Sequence, residues 1–497
     1  MKICVLQPDF SYSDVDIGNY HPRRDLAPLW PDAKMDNLFL DKRTVYAQLK
    51  EAAKKNYDVF VNLCEGYLEW DVPSIDVIHA LEMLNLPYTG PTPELYDPSK
   101  EVMKYVAYGC GVATPAHRVI NSIEQASDVV ARLKFPLFVK PAKAGDSLGI
   151  DVSSRVEDLA ALEKRVGAVI EQFGDALVEE YVAGREFTVL VAADPENPSK
   201  CLSFKPVEYK FGDVPFKTYA MKTSELHPGR NVPCDDLELE KGLREAAEKI
   251  FLSFSGKGFA RMDFRVDDAR NIWFLEVNFT CSVFYANGDD GSADVILDYD
   301  PIGRAGFLRH IVAEGIARHR RKQPLYEVRG DGVAGYGIYA RATINKGEII
   351  FQGEARPQRV VTRRYAADNP ELFDPTVFRR YAYPVSDEVY LTWDESPAHW
   401  SPQNHSCEAN CCYDGLNVVA RRDVERGEEL TLDYAKFLNE ASEAFLCRCK
   451  AASCRQLIKG SLHNSVTSRE NNLATAQTLI DRRNGSATGE KHPLNSL

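Results

Sequence analysis

Between Arg261 and Asn278 the chain reads RMDFRVDDARNIWFLEVN. Two strand-like runs, 258–266 and 271–279, flank an Asp-Asp turn, a pattern that predicts a β-hairpin. Side chains two apart share a strand face, so Arg261 and Asp263 point one way, as do Glu276 and Asn278. The opposite face of the second run carries Trp273, Leu275, Val277 and Phe279, an apolar set suited to a core. One face therefore gathers two carboxylates, an amide oxygen and a guanidinium. Mg²⁺ is held by hard oxygens, one or two carboxylates plus phosphate oxygens, and the arginine could offset negative charge that develops during a reaction. The same alternation also fits an ordinary antiparallel hairpin with one solvated face.

Near the end of the chain Cys447, Cys449 and Cys454 fall within eight residues. Three thiols so close suggest metal ligation rather than disulfides, and a free-thiol reading fits them poorly. Upstream, Cys407, Cys411 and Cys412 are rivals for a fourth ligand position.

The setting for these groups is set by composition. The 497 residues, 44% hydrophobic and 27% charged, are ordinary for a soluble globular protein and leave room for about three domains. A formal charge of −13 gives no whole-chain attraction to DNA or acidic membranes, so no nucleic-acid or membrane partner is expected. MKICVLQPDF reads as a strand rather than an export signal, and no stretch is long and apolar enough to span a bilayer. Together with the scattered cysteines, 12 in all, this points to a cytoplasmic setting, with a nuclear one still open.

The elements that must position the hairpin follow from periodicity. Residues 1–96 alternate strands (2–7, 57–63) with helices (42–56, 73–84), a βαβ-type unit with a parallel sheet. FPLFVKPAKAGDSLGI is a strand leading into a small-residue loop, LVEEYVAGREFTVLVAAD a strand, turn and strand, and 203–235 a long loop. A helix over 237–254 enters the hairpin. IVAEGIARHRRKQP then ends in a basic turn and a proline, predicting a domain boundary near 322.

NLPYTG, the paired lysines of DPSKEVMK, FPLFVKPAKAGDSLG, EEYVAGREFTV, FKTYAMK and ARMDF with FLEVN occur in this order. In that order they resemble an ATP-grasp ligase, nearest in motif sequence to D-alanine–D-alanine ligases, with a pre-ATP-grasp domain over 1–96 and the ATP-grasp domain over 97–322. The resemblance implies that Lys104, Lys140 and Lys222 contact ATP phosphates beneath a loop over 145–149 that includes Ser147. It also places Glu179 at the adenine end and Glu186 at the ribose. Asp263, Glu276 and Asn278 would hold Mg²⁺, and Arg261 would steady the acyl phosphate and the tetrahedral oxyanion. A homodimer is compatible with it. The family's Pro-Gly-Met segment after the final asparagine is replaced by FTCSVFYANGDDGSAD, and the N-terminal glutamate motif is missing, so the substrates are not carried over.

Beyond 323 the sequence turns to short strands and Gly turns. GYGIYARATINKGEIIFQGEA, SPQNHSCEANCC, LNVVARRDVERGEELTLDYAKF and FLCRCKAASC resemble a SET-domain methyltransferase over 323–444, followed by a post-SET zinc segment over 445–463. By that resemblance Gly335 and Gly337 let the backbone approach S-adenosylmethionine, and Asn404 and His405 bind it. Tyr434 aligns the accepting amine, and Cys407 joins Cys447, Cys449 and Cys454 around Zn²⁺. Ser401 and Pro402 replace the usual Arg-Phe, and Leu432 stands where the family has a Phe or Tyr that limits product multiplicity, so di- or trimethylation is expected. Residues 464–497, polar and without aromatics, should form a disordered tail.

The expected fold class is thus multidomain α/β, the βαβ and ATP-grasp α+β domains being followed by a mainly β SET domain with a small zinc segment. The expected activity is an ATP-dependent carboxylate–amine ligase joined to an S-adenosylmethionine-dependent N-methyltransferase. Both would act on one amino-acid-type small molecule; the competing expectation is a protein-lysine methyltransferase with a ligase-like scaffold.

Overall fold

The computed structural model describes residues 1–11, 22–66, 71–143, 148–210, 216, 231–286, 288–331, 335–393, 403–439, 442 and 444–460. They fall into two compact units, Met1–Lys322 and Gln323–Leu497. Ser147, Lys222, the loop tip at 145, the segment 401–402 and the terminal stretch 464–497 lie outside the described residues.

The first unit begins with a parallel sheet of β1 (Lys2–Pro8), β2 (Lys34–Leu40) and β3 (Val59–Asn62), in the order β2-β1-β3. Helices α1 (Val45–Ala53) and α2 (Ile75–Met83) bury their apolar stripes, Leu49, Val77, Ile78 and Leu81, against one face of this sheet. Both helices are shorter than the sequence periodicity suggests. Lys42 and Arg43 form the turn that precedes α1, Asp41 accepting from the Arg43 backbone N–H at 3.0 Å. The strand β2 was not expected.

Helix α3 (Lys100–Gly109) starts where Ser99 Oγ accepts the Val102 N–H at 3.3 Å. A four-stranded sheet follows, made of β4 (His117–Ile120), β5 (Leu137–Pro141), β6 (Arg155–Val156) and β7 (Ala176–Glu180), in the order β4-β7-β5-β6. It packs on α4 (Ala126–Val130) and α5 (Leu159–Phe173) through Leu137, Val139, Leu162, Val166 and Val178.

The larger sheet contains β8 (Arg185–Ala193), β9 (Cys201–Ser203), β10 (Val207–Tyr209), β11 (Asn231–Pro233), β12 (Phe259–Val266) and β13 (Ile272–Asn278). Its order is β11-β10-β8-β12-β13, with β9 on the far end of β8. Two short strands, β10 and β11, therefore lie within the region 203–235 expected to be one long loop, and β9 ends at its first residue. Helix α6 (Leu237–Ser253) covers one face, burying Phe187, Val189, Val191, Met262, Phe264, Phe274 and Val277. Full burial of each such aromatic or aliphatic side chain contributes about 1.5–3 kcal/mol. The apolar end of the other face, Leu190, Ala192 and Phe259, lies under α7 (Ser292–Tyr299) and α8 (Gly303–Lys322). The polar end of that same face is the candidate site.

The hairpin β12–β13 closes through Asp267, whose carboxylate accepts the Asn271 N–H at 2.8 Å. A bulge between Asp263 and Phe264 shifts its register, so Phe264 pairs with Phe274 and Leu275 is left as the extra residue. This corrects the expected faces of β13. Phe274, not Trp273, enters the core, and Trp273 donates its indole N–H to Asp267 at 3.0 Å. A bulge adds one residue to a strand and so inverts its alternation.

The second unit is built from small sheets. The strands β14 (Tyr326–Asp331) and β15 (Gly335–Ala340) pair with each other; β16 (Ile349–Phe351) joins two later strands; β17 (Gln358–Thr362) is followed by helices α9 (Arg363–Asp368) and α10 (Pro375–Tyr381). Further on, β18 (Tyr383–Pro384) and β19 (Val389–Trp393) pair in the order β17-β19-β18, and β20 (Asn404–His405) runs parallel to a strand near the end of the unit. The partners are β21 (Cys411–Asp414) and β22 (Asn417–Ala420) for β16, and β23 (Thr431–Leu432) for β20. A final pair, β24 (Phe445–Leu446) and β25 (Leu457–Ile458), encloses the cysteine segment. The core holds Ile338, Phe351, Leu391, Trp393, Val418, Leu430 and Leu432.

Candidate active sites

In the first unit, antiparallel pairing places Thr188, Asp263 and Glu276 in one cross-strand row and Leu190, Arg261 and Asn278 in the next. The three expected magnesium ligands therefore share a face, with Arg261 beside them. Arg261 Nη2 lies 3.4 Å from Asp263, and Asn278 Oδ1 accepts the backbone N–H of Thr280 at 2.9 Å and its hydroxyl at 3.2 Å. Glu276 is 3.0 Å from the ammonium of Lys100, a buried residue at the first position of α3. The sequence reading placed Lys100 in the paired-lysine motif but gave it no role; its approach to β13 is a tertiary fact.

Lys104 and Lys140 converge on a single carboxylate. Glu179 Oε2 lies 2.6 Å from Lys104 and Oε1 2.6 Å from Lys140, all three side chains being buried. Lys104 also donates to Thr114 Oγ1 at 3.1 Å. Burial pushes the Lys104 ammonium down to about 8, against the attraction of Glu179. Lys140 is raised instead, because Glu179 and Glu276 together outweigh its burial. Glu179 is driven well below the ordinary carboxylate range: burial alone would raise it, but the two lysines dominate. The carboxylate expected at an adenine end thus sits between the two lysines expected at phosphates.

Next to this cluster is an aromatic group that the sequence reading did not single out. Phe138 and Tyr181 stack at 6.2 Å, and Phe216 meets Phe138 edge-on at 5.0 Å. Phe138 and Lys140 alternate on β5, a spacing visible in FPLFVK. Glu186 is 3.1 Å from Arg265, which also donates to the Gly184 carbonyl at 3.0 Å. Gly184 has φ +135°, and a Cβ there would lie 2.1 Å from the Val266 carbonyl, so the turn into β8 requires glycine. The exit of the 145–149 loop is held by Arg165, which donates to Gly149 O and, at 2.9 Å, to Ser154 Oγ.

Four cations, Lys100, Lys104, Lys140 and Arg261, face three carboxylates, Glu179, Asp263 and Glu276. Such a cluster can receive a polyanion, because each carboxylate already carries a cationic partner that a phosphate oxygen can take over. The oxygens of Asp263, Glu276 and Asn278 fit Mg²⁺ in type and number, phosphates and water completing the shell.

In the second unit, the ligand atoms of Cys407, Cys447, Cys449 and Cys454 all lie within 4.8 Å of one another, and no other group of this kind occurs among the described residues. The Cys407–Cys447 sulfur separation is 3.8 Å, matching the edge of a tetrahedron with Zn–S of about 2.3 Å. Cys411 is committed elsewhere, donating to Asn410 Oδ1 at 3.3 Å, and Cys412 lies on β21 outside the group. The donor set fits Zn²⁺.

Arg455 connects this cluster to Tyr434. Its backbone N–H donates to Cys407 Sγ at 3.4 Å and its guanidinium donates to Asp433. Beside them His405 Nδ1 accepts the Tyr434 N–H at 3.1 Å, while Nε2 lies 3.5 Å from Cys407 Sγ. Burial holds this imidazole below its ordinary value despite Asp433, favouring the neutral ring that such an acceptor requires. The Tyr434 hydroxyl donates to the Gln403 carbonyl at 2.5 Å. Burial raises the phenol well above its ordinary value, with Tyr381 and Tyr336 adding to the effect. Asn404 donates to the Tyr336 carbonyl at 2.8 Å and to Glu429 at 2.9 Å. A Cβ on Gly337 would lie 2.4 Å from that Glu429 oxygen, which gives Gly337 a steric reason within the protein itself. The backbone of Gly335 opens β15 opposite Asp331. Leu432 is 1% exposed in the core beside His405.

Comparison with known proteins matches both halves. Residues 110–283 match the family model described as the D-ala D-ala ligase C-terminus, and residues 335–435 match the SET domain. A D-alanine–D-alanine ligase of Marinobacter nauticus is 34% identical over 200 residues, covering 40% of this chain and 58% of the ligase. That of Acinetobacter baumannii is 29% identical over 202 residues, covering 40% and 62%. The chain thus spans about 60% of the length of these curated relatives. Among solved structures, the D-alanine–D-alanine ligase of Coxiella burnetii superposes with a TM-score of 0.47 at 16% identity, covering 65% of this chain and 96% of that one. The Bacillus anthracis ligase complexed with ATP gives 0.47 at 18% identity, covering 65% and 100%.

The chain therefore carries a ligase-type domain and a methyltransferase-type domain. More particularly, it joins a D-alanine–D-alanine ligase C-terminal domain to a SET domain in one polypeptide.

Proposed function

We propose that the protein is a bifunctional enzyme: an ATP-dependent carboxylate–amine ligase and an S-adenosylmethionine-dependent amine N-methyltransferase acting on one amino-acid-derived small molecule. The observation that carries the ligase half is the single sheet face on which Asp263, Glu276 and Asn278 meet Arg261 and the buried lysines. Lys100, Lys104 and Lys140 exchange their carboxylate partners for ATP phosphates, and Phe138, Tyr181 and Phe216 offer an apolar surface to the adenine. Asp263, Glu276 and Asn278 would hold Mg²⁺, which would supply charge neutralisation at the phosphates. A substrate carboxylate oxygen attacks the γ-phosphorus, ADP leaves, and an acyl phosphate forms. The amine of the second substrate then attacks the acyl carbon, Arg261 offsets the oxyanion, phosphate leaves and the amine loses a proton.

In the second unit, Asn404, His405 and the glycines of β15 would hold S-adenosylmethionine, which supplies an electrophilic methyl group. Tyr434, fixed by Gln403 and His405, orients the accepting nitrogen. Zn²⁺ held by the four cysteines is structural in this reading, with all four positions closed. The position of Leu432 supports more than one methylation, because no phenol hydroxyl there limits the turning of a methylated amine.

Product mass spectrometry tests the proposal. Purified protein receives ATP, Mg²⁺ and pooled amino acids, with and without S-adenosylmethionine. The expected result is an ATP-dependent amide that gains two or three methyl masses. Methylation of protein lysines alone, with no condensation product, would replace this reading with a protein methyltransferase bearing a ligase-derived scaffold.

A further inference from the structure

Gln403 differs from every other buried amide side chain described in the second unit. Asn410 donates to the Glu429 carbonyl at 2.9 Å and accepts the Thr431 N–H at 3.0 Å. Asn439 donates to Ser386 O at 3.1 Å and to the Tyr390 hydroxyl at 2.9 Å, and accepts from Ser442 at 3.0 Å. Gln403 is 1% exposed, yet neither its Nε2 nor its Oε1 has a hydrogen-bond partner among the described residues. Leaving both ends of a buried amide unpaired costs stability, and an apolar side chain of similar size would remove that cost. A residue that bears such a cost at a functional site points to a ligand that relieves it.

The position of Gln403 identifies which ligand. Its own carbonyl receives the Tyr434 hydroxyl, so the amide lies within one side-chain length of the tyrosine that would orient the accepting nitrogen. An amide offers a donor and an acceptor side by side. Its complement is a carboxyl or amide oxygen next to an N–H, and an α-amino acid or the N-terminus of a short peptide presents both around one nitrogen. The end of a long alkylamine presents only methylenes beside its nitrogen.

The chemistry of transfer favours the same class. The nitrogen lone pair attacks the methyl carbon, the carbon–sulfur bond breaks with its electrons going to sulfur, and the proton on nitrogen passes to solvent. The nitrogen must therefore arrive neutral. The α-amine at the N-terminus of a peptide, with pKa near 8, is neutral far more often at pH 7 than a lysine side chain near 10.4, so the peptide form of this class gains most. Asp433, the carboxylate next to Tyr434 in sequence, is committed to Arg455.

We propose that Gln403 is the specificity-determining residue of the methyl-transfer site, recognising an α-amino acid or short peptide through the carbonyl or carboxyl group adjacent to the amine that is methylated. This inference rests on the reading of the second unit as an amine methyltransferase.

The test compares full-length wild type with Gln403→Leu, using labelled S-adenosylmethionine and three probes: L-alanine, alanyl-alanine and n-butylamine. The variant should lose about 30-fold in kcat/KM toward the amino acid or dipeptide, mainly through KM. Its preference for the amino acid or dipeptide over n-butylamine should fall by a similar factor, with S-adenosylmethionine affinity within about twofold of wild type. Amide hydrogen exchange across β20 and β23 should show equal or greater protection in the variant, since an unpaired amide has been removed. Equal losses on all three probes, weakened cofactor binding, or lowered protection would overturn the proposal. Wild-type transfer confined to n-butylamine or to protein lysines would overturn the substrate class while leaving a methyltransferase. Transfer to no amine at all would remove the underlying reading and the inference with it.

Discussion

The two candidate sites solve opposite electrostatic problems. In the first unit ionised groups are brought together and neutralise one another, Lys104 and Lys140 on Glu179, Lys100 on Glu276 and Arg261 on Asp263. In the second unit the residues around Tyr434 are mostly uncharged: a neutral imidazole, a high-pKa phenol, a backbone carbonyl and an unpaired amide. A polyanion with its metal is best received by charges that exchange partners. Methyl transfer from a sulfonium moves positive charge onto nitrogen, and there a site of fixed dipoles suffices. Charged side chains near Tyr434 serve at one remove, Arg455 and Asp433 tying it to the thiols.

That contrast can be broken one half at a time. The largest effect is expected from Glu276→Gln, which removes a metal-facing charge and the ion pair with Lys100. ADP release in the presence of amino acids should fall at least 1,000-fold, on the order of 4 kcal/mol or more of transition-state stabilisation, with labelled-methyl transfer unchanged. Cys407→Ser should do the reverse. Metal analysis should show loss of Zn²⁺, methyl transfer should fall about 100-fold, and ATP-dependent ADP release should persist.

A smaller effect separates the scaffold from the cluster. Arg455→Ala should retain Zn²⁺ yet lower kcat for methylation by about tenfold, because Asp433 loses the group that holds it beside Tyr434. The smallest effect concerns pH. Lys104 is depressed to about 8 by burial, below the roughly 10.4 of an unfolded lysine, so its cation is lost as pH rises through about 8. If phosphate binds the protonated form, Mg-ATP affinity measured calorimetrically should weaken about tenfold between pH 7 and pH 9. Lys104→Met should bind weakly throughout and lose that dependence.

Much of the architecture could be read from the chain, and its failures are local. The hairpin was legible because alternation and an Asp-Asp turn are short-range signals, but the bulge at Asp263 was not, since an extra residue in one strand is visible only against its partner. The three-residue strands β9, β10 and β11 were hidden because pairing with neighbours rather than their own propensity makes them strands. At the sites, the shared face of Asp263 and Glu276 and the closeness of Cys447, Cys449 and Cys454 followed from spacing, whereas Cys407 was singled out from Cys411 and Cys412 only by the motif resemblance. Lys100 gained a role only when α3 was seen to meet β13. Gln403 had no readable signal, because being buried and unpaired is a property of three dimensions.

The central claim, that one small molecule is both ligated and methylated by this chain, is tested most directly by isotope tracing. Wild-type protein would be given ATP, Mg²⁺, S-adenosylmethionine and amino acids labelled with ¹⁸O in the carboxyl group. The account predicts inorganic phosphate carrying one ¹⁸O from the activated carboxylate, together with an amide product that bears added methyl groups. Unlabelled phosphate would contradict the acyl-phosphate route, and an amide and a methylated amine appearing only as separate molecules would contradict the shared substrate.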